Sequence, residues 1–269
     1  MPFLELEKTK LHYQTFGQGN RIILAFHGYG QDSGHFYAIA EALKPDCTIY
    51  SFDLFFHGKS KMPKSKMPLQ KAHLSALIQI LLQQQNITRF SVMAFSMGGK
   101  FALTLIEAFP DHIDKILLVA PDGIKTNFWY SIATYPRWMQ GLFKRTVLRP
   151  VPFFKFLNFL DRRKLIDKGL IKFAHWQMES TPKRLRIYKS WTGFSLLTFD
   201  IRKIVQVLNQ NKIELTLILG EFDQVIPQHS LQVFIKALQY GKVILLKTGH
   251  TLLLHDVASY LRRHKEIFR

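Results

Sequence analysis

Three side chains that are far apart in the sequence have the types needed for nucleophilic catalysis: Ser96, Asp223 and His250. A serine hydroxyl is a weak nucleophile at neutral pH. It becomes reactive when an imidazole accepts its proton and a carboxylate orients that imidazole and stabilises its charged form. Each of the three residues follows a predicted strand, so all three are expected at one edge of a sheet. The pattern predicts acyl transfer with Ser96 as the nucleophile.

Ser96 stands in a predicted strand-to-helix turn. The apolar run before it predicts a buried strand, and residues 97–109 predict a helix that Pro110 stops. Such a turn pushes the serine out at the top of the sheet and needs small neighbours, which are Ala94 and Gly98 here. Ala94 takes the place of a more usual glycine and adds one methyl group. The alternative is a serine that only caps the helix.

A second loop could supply part of an oxyanion hole. The apolar run at residues 21–26 ends in a glycine-rich loop, residues 27–30, where glycine allows a tight turn. The backbone N–H groups of Tyr29 and Met97 are predicted to face one point and to stabilise a negatively charged oxygen. The residues predicted to shape the supporting loops are His27, Gly28, Gly30 and Gly98. The alternative is an ordinary strand-to-helix connection.

The elements that must position these residues follow an alternating pattern. After an opening antiparallel hairpin, apolar runs alternate with segments of helical periodicity. The runs cover residues 21–26, 48–54, 89–95, 115–120, 213–219 and 243–246. This alternation predicts an α/β fold with a mostly parallel, doubly wound sheet and right-handed crossovers. A helix over residues 257–268 is predicted to close the chain, and the site is expected beyond the carboxyl ends of the strands.

The strand pattern stops between residues 123 and 203, where prolines divide the chain into short helical pieces. We therefore predict a core of residues 1–122 and 204–269, with a helical cap, residues 123–203, inserted after the strand that ends at Ala120. From 123 to 189 there are fifteen Lys or Arg against three acids, and three of the four tryptophans. Such a cap could line a pocket for an apolar acyl group or lie on an anionic membrane, or its aromatics could simply pack it onto the core.

The bulk composition limits the partners and the compartment. The 269 residues include 37 Lys or Arg against 19 Asp or Glu, a formal net charge of +18, which favours an anionic membrane surface or carrier. No nucleic-acid-binding motif accompanies this charge, which disfavours nucleic acid. The one cysteine, Cys47, excludes an intramolecular disulfide and predicts a buried structural thiol.

Neither a signal peptide nor a membrane-spanning stretch is predicted, so the expected location is cytoplasmic, with peripheral membrane contact as a variant. The eleven histidines are scattered without the spacing of metal ligands. We therefore predict no metal site and no cofactor. A small-molecule ester or thioester with an apolar acyl group is the expected partner.

Taken together, the motifs resemble the α/β-hydrolase superfamily over essentially the whole chain. The matching segments are an oxyanion loop at 27–30, an Asp-x-x-x-x-Gly-x-Ser turn at 53–60, a nucleophile elbow at 94–99, an acid loop at 220–227 and a histidine loop at 249–250. The resemblance implies a serine hydrolase that cleaves a carboxylic ester or thioester through a Ser96-His250-Asp223 triad and an acyl-enzyme. Carbon–carbon bond hydrolysis and lysophospholipase activity are implied as alternatives. Epoxide hydrolase and haloalkane dehalogenase activities are disfavoured, because the members of the superfamily with these activities have an aspartate at the position of Ser96.

Two other residues compete for the acid and base roles. Asp122 follows the strand at 115–120 and could supply the acid, since some members of the superfamily use that position. The loop around Asp223 matches the family better. His255 could replace His250, but His250 follows a glycine as the family's histidine does.

Two further candidates are interpreted as structural. Asp53 and His57 lie at a strand end and a turn, where such side chains commonly hold a loop by hydrogen bonds. A non-catalytic protein that binds an anionic partner on the same scaffold is the alternative from another functional class. The intact triad argues against that alternative, because a pure binder does not need all three residues.

Overall fold

A sheet of eight strands organises the part of the chain that the computed structural model describes, which is residues 2–125, 137–165, 171, 175 and 178–268. The strands are β1 (Phe3–Leu6), β2 (Thr9–Phe16), β3 (Arg21–Phe26), β4 (Cys47–Phe52), β5 (Phe90–Phe95), β6 (Ile113–Val119), β7 (Glu214–Gly220) and β8 (Gly241–Leu246). Their order across the sheet is β1-β2-β4-β3-β5-β6-β7-β8. The predicted α/β fold with a mostly parallel sheet is confirmed.

The direction of each strand follows from its sequence pattern. β1 and β2 pair antiparallel, as expected for alternating apolar and polar residues, and β2 also pairs antiparallel with β4. From β4 onward every pairing is parallel. All residues of β4 and β5 are buried, because helices cover both faces of a parallel sheet and such strands read as continuous apolar runs.

Nine α-helices lie among the described residues. They are α1 (Tyr37–Leu43), α2 (Lys71–Gln84), α3 (Gly99–Ala108), α4 (Arg137–Leu148), α5 (Val151–Arg162), α6 (Thr181–Gly193), α7 (Ile201–Gln210), α8 (Gln232–Ala237) and α9 (His250–Leu261). None of these helices is both long enough and apolar enough to cross a membrane.

The prediction for the closing helix is wrong in its position. It was expected over residues 257–268, whereas α9 begins at His250 and ends at Leu261, and a separate 3-10 turn covers Lys265–Phe268. Gly249 is the extended N-cap residue, and buried apolar side chains recur at helical spacing from Leu253 to Leu261. His250 is therefore the first residue of a helix rather than part of a loop.

The chain divides into two compact units. The first contains residues up to Lys66, Gln70–Lys125 and the chain from Leu197 onward, and the second contains Met67–Leu69 with Thr126–Leu196. The predicted insert, 123–203, extends beyond this second unit by residues 123–125 at its N-terminal end and, further, by residues 197–203 at its C-terminal end. The reason is that α7 belongs to the first unit, and its N-cap Asp200 accepts hydrogen bonds from the amides of the first helical turn.

The second unit has its own interior contacts. The Phe143 ring on α4 lies 5.6 Å from the Tyr188 ring and 5.4 Å from the Trp191 ring, both on α6. The Arg184 guanidinium on α6 donates to the Val147 carbonyl at 2.8 Å, which ties the two helices together at their ends. The assignment of this unit as a cap remains a prediction.

Asp53 holds three segments of the first unit together. One carboxylate oxygen accepts the Ser33 amide at 2.7 Å, and the other accepts the Lys59 amide at 2.7 Å and the His12 ring N–H at 2.8 Å. A side chain at Gly58 would collide with this carboxylate, because a Cβ there would lie 2.1 Å from Asp53 Cγ. Asp53 and His12 are both buried, and this geometry supports the structural interpretation of Asp53.

Replacing Asp53 by asparagine should destabilise the fold by about 3 kcal/mol. Both carboxylate oxygens accept N–H donors, so either orientation of the amide would place its NH₂ group against a donor. Equilibrium unfolding in urea at neutral pH would measure the loss. The exposed Asp111→Asn variant serves as control and should change the unfolding free energy by less than about 0.5 kcal/mol.

The same variant should also differ in its response to acid. Burial alone would raise the pKa of Asp53, but the hydrogen bonds from Lys59 and Ser33 and the nearby His12 outweigh burial and lower it. The ionised carboxylate therefore stabilises the fold above its ordinary pKa, and this contribution is lost as the pH falls through the lowered, folded-state value. The stability difference between wild type and Asp53→Asn should shrink over that range. A difference that does not change with pH would contradict this account.

The Cys47 thiol should be unreactive in the folded protein. Cys47 is buried at the start of β4, and burial, partly opposed by the charge of Arg21, raises the pKa of its thiol to about 11. At pH 8 only about one thiol in a thousand would then be ionised. Iodoacetamide should alkylate native protein roughly 100-fold more slowly than unfolded protein, as followed by intact mass. Equal rates with and without denaturant would show that the thiol is accessible and ionised.

Candidate active site

Ser96 sits at the turn between β5 and α3. The turn is a 3-10 segment, Ser96–Gly98, that leads directly into the helix. The φ angle of Ser96 is 48°, in the left-handed region, which costs a non-glycine residue about 1–3 kcal/mol. Its carbonyl accepts the Asp122 amide at 2.8 Å, which anchors the strained turn to the segment after β6. Ser96 is partly exposed, whereas Phe95 and Met97 beside it are buried.

Small residues are required around this turn because backbone approaches it closely. A Cβ at Gly98 would lie only 2.1 Å from the Phe26 carbonyl oxygen at the end of β3. Ala94, where a glycine is more usual, is fully buried within β5 and stands opposite Phe26 of β3 and Leu118 of β6. The methyl group of Ala94 is accommodated within the sheet, so this departure leaves the turn intact.

His250 is hydrogen-bonded to both of its predicted partners. Its Nε2 lies 2.9 Å from Ser96 Oγ, and its Nδ1 lies 2.6 Å from Asp223 Oδ2. The imidazole also stacks on the Phe95 ring, with centroids 5.0 Å apart and planes 29° from parallel. These contacts fix the ring from both edges and from one face. The three residues belong to the first compact unit.

Asp223 is held in place by its own loop. Its Oδ1 accepts the amides of Val225 and Ile226, each at 2.8 Å, which leaves Oδ2 for His250. The carboxylate is completely buried. Backbone contacts join the loop that carries Asp223 to the segment just before His250, since the Phe222 amide donates to the Thr248 carbonyl at 3.1 Å.

The competing acid and base are engaged elsewhere. Asp122 Oδ1 accepts the Gly123 amide at 2.7 Å, and its Oδ2 lies 3.7 Å from the Nζ of the buried Lys100. The side chain of His255 is 76% exposed and contacts Asp256. The structure therefore joins the side chains of Asp223 and His250, rather than those of Asp122 and His255, to the Ser96 hydroxyl in one hydrogen-bonded chain.

The glycine-rich loop after β3 is organised by two side chains. His27 is buried, accepts the Leu54 amide at Nε2 (3.0 Å) and donates from Nδ1 to the Gly28 carbonyl (2.7 Å). The Gly28 amide in turn donates to Gln31 Oε1 at 2.9 Å. Tyr29 follows, and its ring packs edge-on against His57. The role of the Tyr29 and Met97 amides as oxyanion donors remains a proposal.

Sequence reasoning missed two residues of this region. Gln31 orders the loop through the Gly28 amide, and Phe95 packs against the imidazole of His250. Phe95 could have been noticed as the residue next to the nucleophile, but no spacing rule predicts its partner. Gln31 carries no signal in the sequence, because its contact depends on the course of the loop.

The arrangement can perform proton transfer. Ser96 Oγ can pass its proton directly to His250 Nε2, and the buried carboxylate of Asp223 lies where it would stabilise the resulting imidazolium. Among the described residues, no group of three or more His, Cys, Asp or Glu is placed to hold a metal ion.

Comparison with known proteins agrees with this fold. Lipase 1 of Psychrobacter immobilis is 22% identical over 235 residues, which cover 85% of this chain and 70% of the lipase. An uncharacterized protein of Mycobacterium tuberculosis is 27% identical over 132 residues, which cover 48% of this chain but only 38% of that protein's length. The crystal structure of an enol-lactonase from Burkholderia xenovorans LB400 superposes with a TM-score of 0.68 at 17% identity and covers 99% of each chain.

Other relatives carry esterase and probable lysophospholipase names. The model of the α/β hydrolase fold family matches residues 21–256. This match covers most of the chain and includes Ser96, Asp223 and His250. The chain therefore belongs to the α/β hydrolase family.

Proposed function

We propose that this protein is a serine hydrolase that cleaves a carboxylic ester or thioester of an apolar acyl group. The observation that carries the proposal is the continuous hydrogen-bonded chain from Ser96 Oγ through His250 to Asp223, with distances of 2.9 Å and 2.6 Å. A partly exposed serine on a strained turn, beside a fixed imidazole, has the properties of an activated nucleophile. The esterase and lipase relatives support the same reaction class.

In the proposed mechanism, Ser96 Oγ attacks the substrate carbonyl carbon while its proton moves to His250 Nε2. The oxyanion of the tetrahedral intermediate accepts hydrogen bonds from the backbone N–H groups of Tyr29 and Met97. Asp223 stabilises the imidazolium and holds its tautomer. The bond to the leaving oxygen or sulfur then breaks, and His250 returns the proton to that leaving group.

The second half of the cycle repeats the same proton transfers with water. His250 removes a proton from a water molecule, whose oxygen attacks the acyl-enzyme carbonyl. Collapse of the second tetrahedral intermediate breaks the bond to Ser96 Oγ, which takes the proton back from His250. The carboxylic acid leaves, and the enzyme is regenerated without any other reactant.

The choice of an apolar acyl group rests on composition and on the relatives. The segment 123–203 is rich in aromatic residues, and an aromatic cap that lines an acyl pocket remains our prediction for it. A lysophospholipid is a variant of the same substrate class, because its cleaved bond is a carboxylic ester. Carbon–carbon bond hydrolysis is the second reaction that the same three residues could catalyse.

A chain-length series of p-nitrophenyl esters, from acetate to palmitate, tests the proposal. Turnover with an optimum at one acyl length is expected, together with covalent labelling of native protein by a fluorophosphonate at Ser96. Denatured protein should not be labelled. Labelling without ester turnover would redirect the search to acyl thioesters and carbon–carbon bonds. No labelling of folded protein would contradict the hydrolase proposal and favour a binding role.

A further inference from the structure

Helix α5 exposes aromatic side chains that do not pack it against the protein. Phe156 and Phe159 are 57% and 49% exposed, and they lie on one face with the exposed Lys155 and Arg162. Leu157, on the opposite face, is buried. Helix α5 packs through the face that carries Leu157. The exposed apolar area of Phe156 and Phe159 therefore contributes little to packing within the described part of the chain.

Helix α4 continues this pattern. Leu142 and Leu148 are each more than half exposed and alternate with the exposed cations Lys144, Arg145 and Arg149. Val151, the first residue of α5, is 62% exposed and connects the two stretches. We call this set the basic aromatic surface. It consists of Leu142, Lys144, Arg145, Leu148, Arg149, Val151, Lys155, Phe156, Phe159, Arg162 and Arg163.

The charge of this surface is one-sided. Residues 137–165 contain eight Lys or Arg and a single acid, Asp161. Within the described residues, the cations of the basic aromatic surface have no ion pair with a carboxylate. The guanidinium of Arg163 lies 5.2 Å from the centre of the Phe159 ring, so cations and aromatic rings are interleaved rather than segregated.

We propose that the basic aromatic surface docks on an anionic lipid bilayer. Lysine and arginine on an amphipathic helix are attracted to anionic headgroups, while Phe, Leu and Val side chains beside them enter the boundary with the acyl chains. An anionic bilayer thus accounts for both features of the surface, its positive charge and its exposed apolar side chains. An acidic protein partner would use the cations but would need a shaped recess for each exposed phenylalanine.

Co-sedimentation of the full chain with vesicles tests the proposal. Binding to phosphatidylcholine vesicles with about one third phosphatidylglycerol should be at least tenfold stronger than binding to phosphatidylcholine alone, and raised salt should weaken it. The Ser96→Ala variant should bind equally, so this result is independent of the proposed hydrolase activity. Equal binding to both kinds of vesicle, or to neither, would overturn the proposal.

The double variant Phe156→Ser/Phe159→Ser measures how much the apolar side chains contribute to vesicle binding, because it leaves the charge of the surface unchanged. This variant should bind the anionic vesicles about tenfold less tightly. Val233→Ser, at an 85% exposed valine of the first unit, is the matched control and should bind as wild type. Thermal unfolding of each variant checks that the fold is retained. Unchanged binding of Phe156→Ser/Phe159→Ser to the anionic vesicles would overturn the proposal, because the two phenylalanines would then make no contact with the bilayer.

The position of the charge is tested by two variants of equal net charge. Lys155→Gln/Arg162→Gln/Arg163→Gln removes three cations from the surface, and Arg202→Gln/Lys203→Gln/Lys212→Gln removes three exposed cations from the first unit. The first variant should lose at least tenfold in binding to anionic vesicles, and the second should lose less than about twofold. Equal losses would mean that overall charge, rather than this surface, drives the binding.

Discussion

Replacing Ser96 by alanine should lower kcat for the best p-nitrophenyl ester by roughly 10⁴- to 10⁶-fold. The substitution removes the hydroxyl that attacks the acyl carbon and that lies 2.9 Å from the proton acceptor, His250 Nε2. The rate that remains should come from oxyanion stabilisation and substrate binding alone. Steady-state kinetics at neutral pH, together with fluorophosphonate labelling, would measure the loss.

Ser75→Ala is a matched control for this experiment. Ser75 lies on α2, and its hydroxyl donates to the Lys71 carbonyl one helical turn before it, so its loss should leave kcat within about twofold of wild type. The Ser96→Ala protein should unfold close to the wild-type temperature, because the Ser96 side chain is partly exposed and the substitution opens no cavity in the core. If Ser96→Ala kept a tenth or more of the ester turnover, another residue would have to be the nucleophile.

Replacing Asp223 by asparagine should lower kcat by roughly 10⁴-fold at neutral pH. The amides of Val225 and Ile226 donate to Oδ1, so they should hold the asparagine oxygen at that position. The asparagine NH₂ group would then face His250 Nδ1 and donate to it. The imidazole would carry its own proton on Nε2, where it could no longer accept the proton of Ser96.

Asp122→Asn is the matched variant that decides between the two candidate acids. It should lower kcat by less than about tenfold, because the asparagine oxygen can still accept the Gly123 amide and the Asp122 backbone amide still bonds to Ser96. Any loss should come from the weakened contact with Lys100. The opposite ranking, with Asp122→Asn the more damaged enzyme, would assign the acid role to Asp122.

Local patterns predicted much of this protein. Each apolar run that was predicted to be a strand became one, because a strand buried on both faces needs side chains that avoid water. The order of motifs predicted the α/β hydrolase family, which the family model confirms. Since Ser96, Asp223 and His250 each follow a strand of a parallel sheet, their meeting at one edge could be expected from the sequence.

The element boundaries depended on information that a local pattern lacks. The segment 153–160 is apolar at nearly every position, so its periodicity did not distinguish the exposed Phe156 from the buried Leu157. The start of α9 was predicted seven residues too late, because a glycine before a histidine indicates a loop as readily as an N-cap. The segments that pack against each helix determine which of its residues are buried and where it begins.

The family resemblance favoured Asp223 over Asp122, but the contacts that separate these chemically equivalent residues come from the tertiary structure. Asp122 and Asp223 both follow parallel strands, and only the packed backbone places one against His250 and the other against Lys100. His12 meets Asp53 across 41 positions of sequence, and Phe95 supports an imidazole that is 155 residues away. The sequence by itself determined the kinds of element and the side chains at their ends, because these follow from short-range sterics and burial. Which side chains became partners was decided by the packing of distant segments.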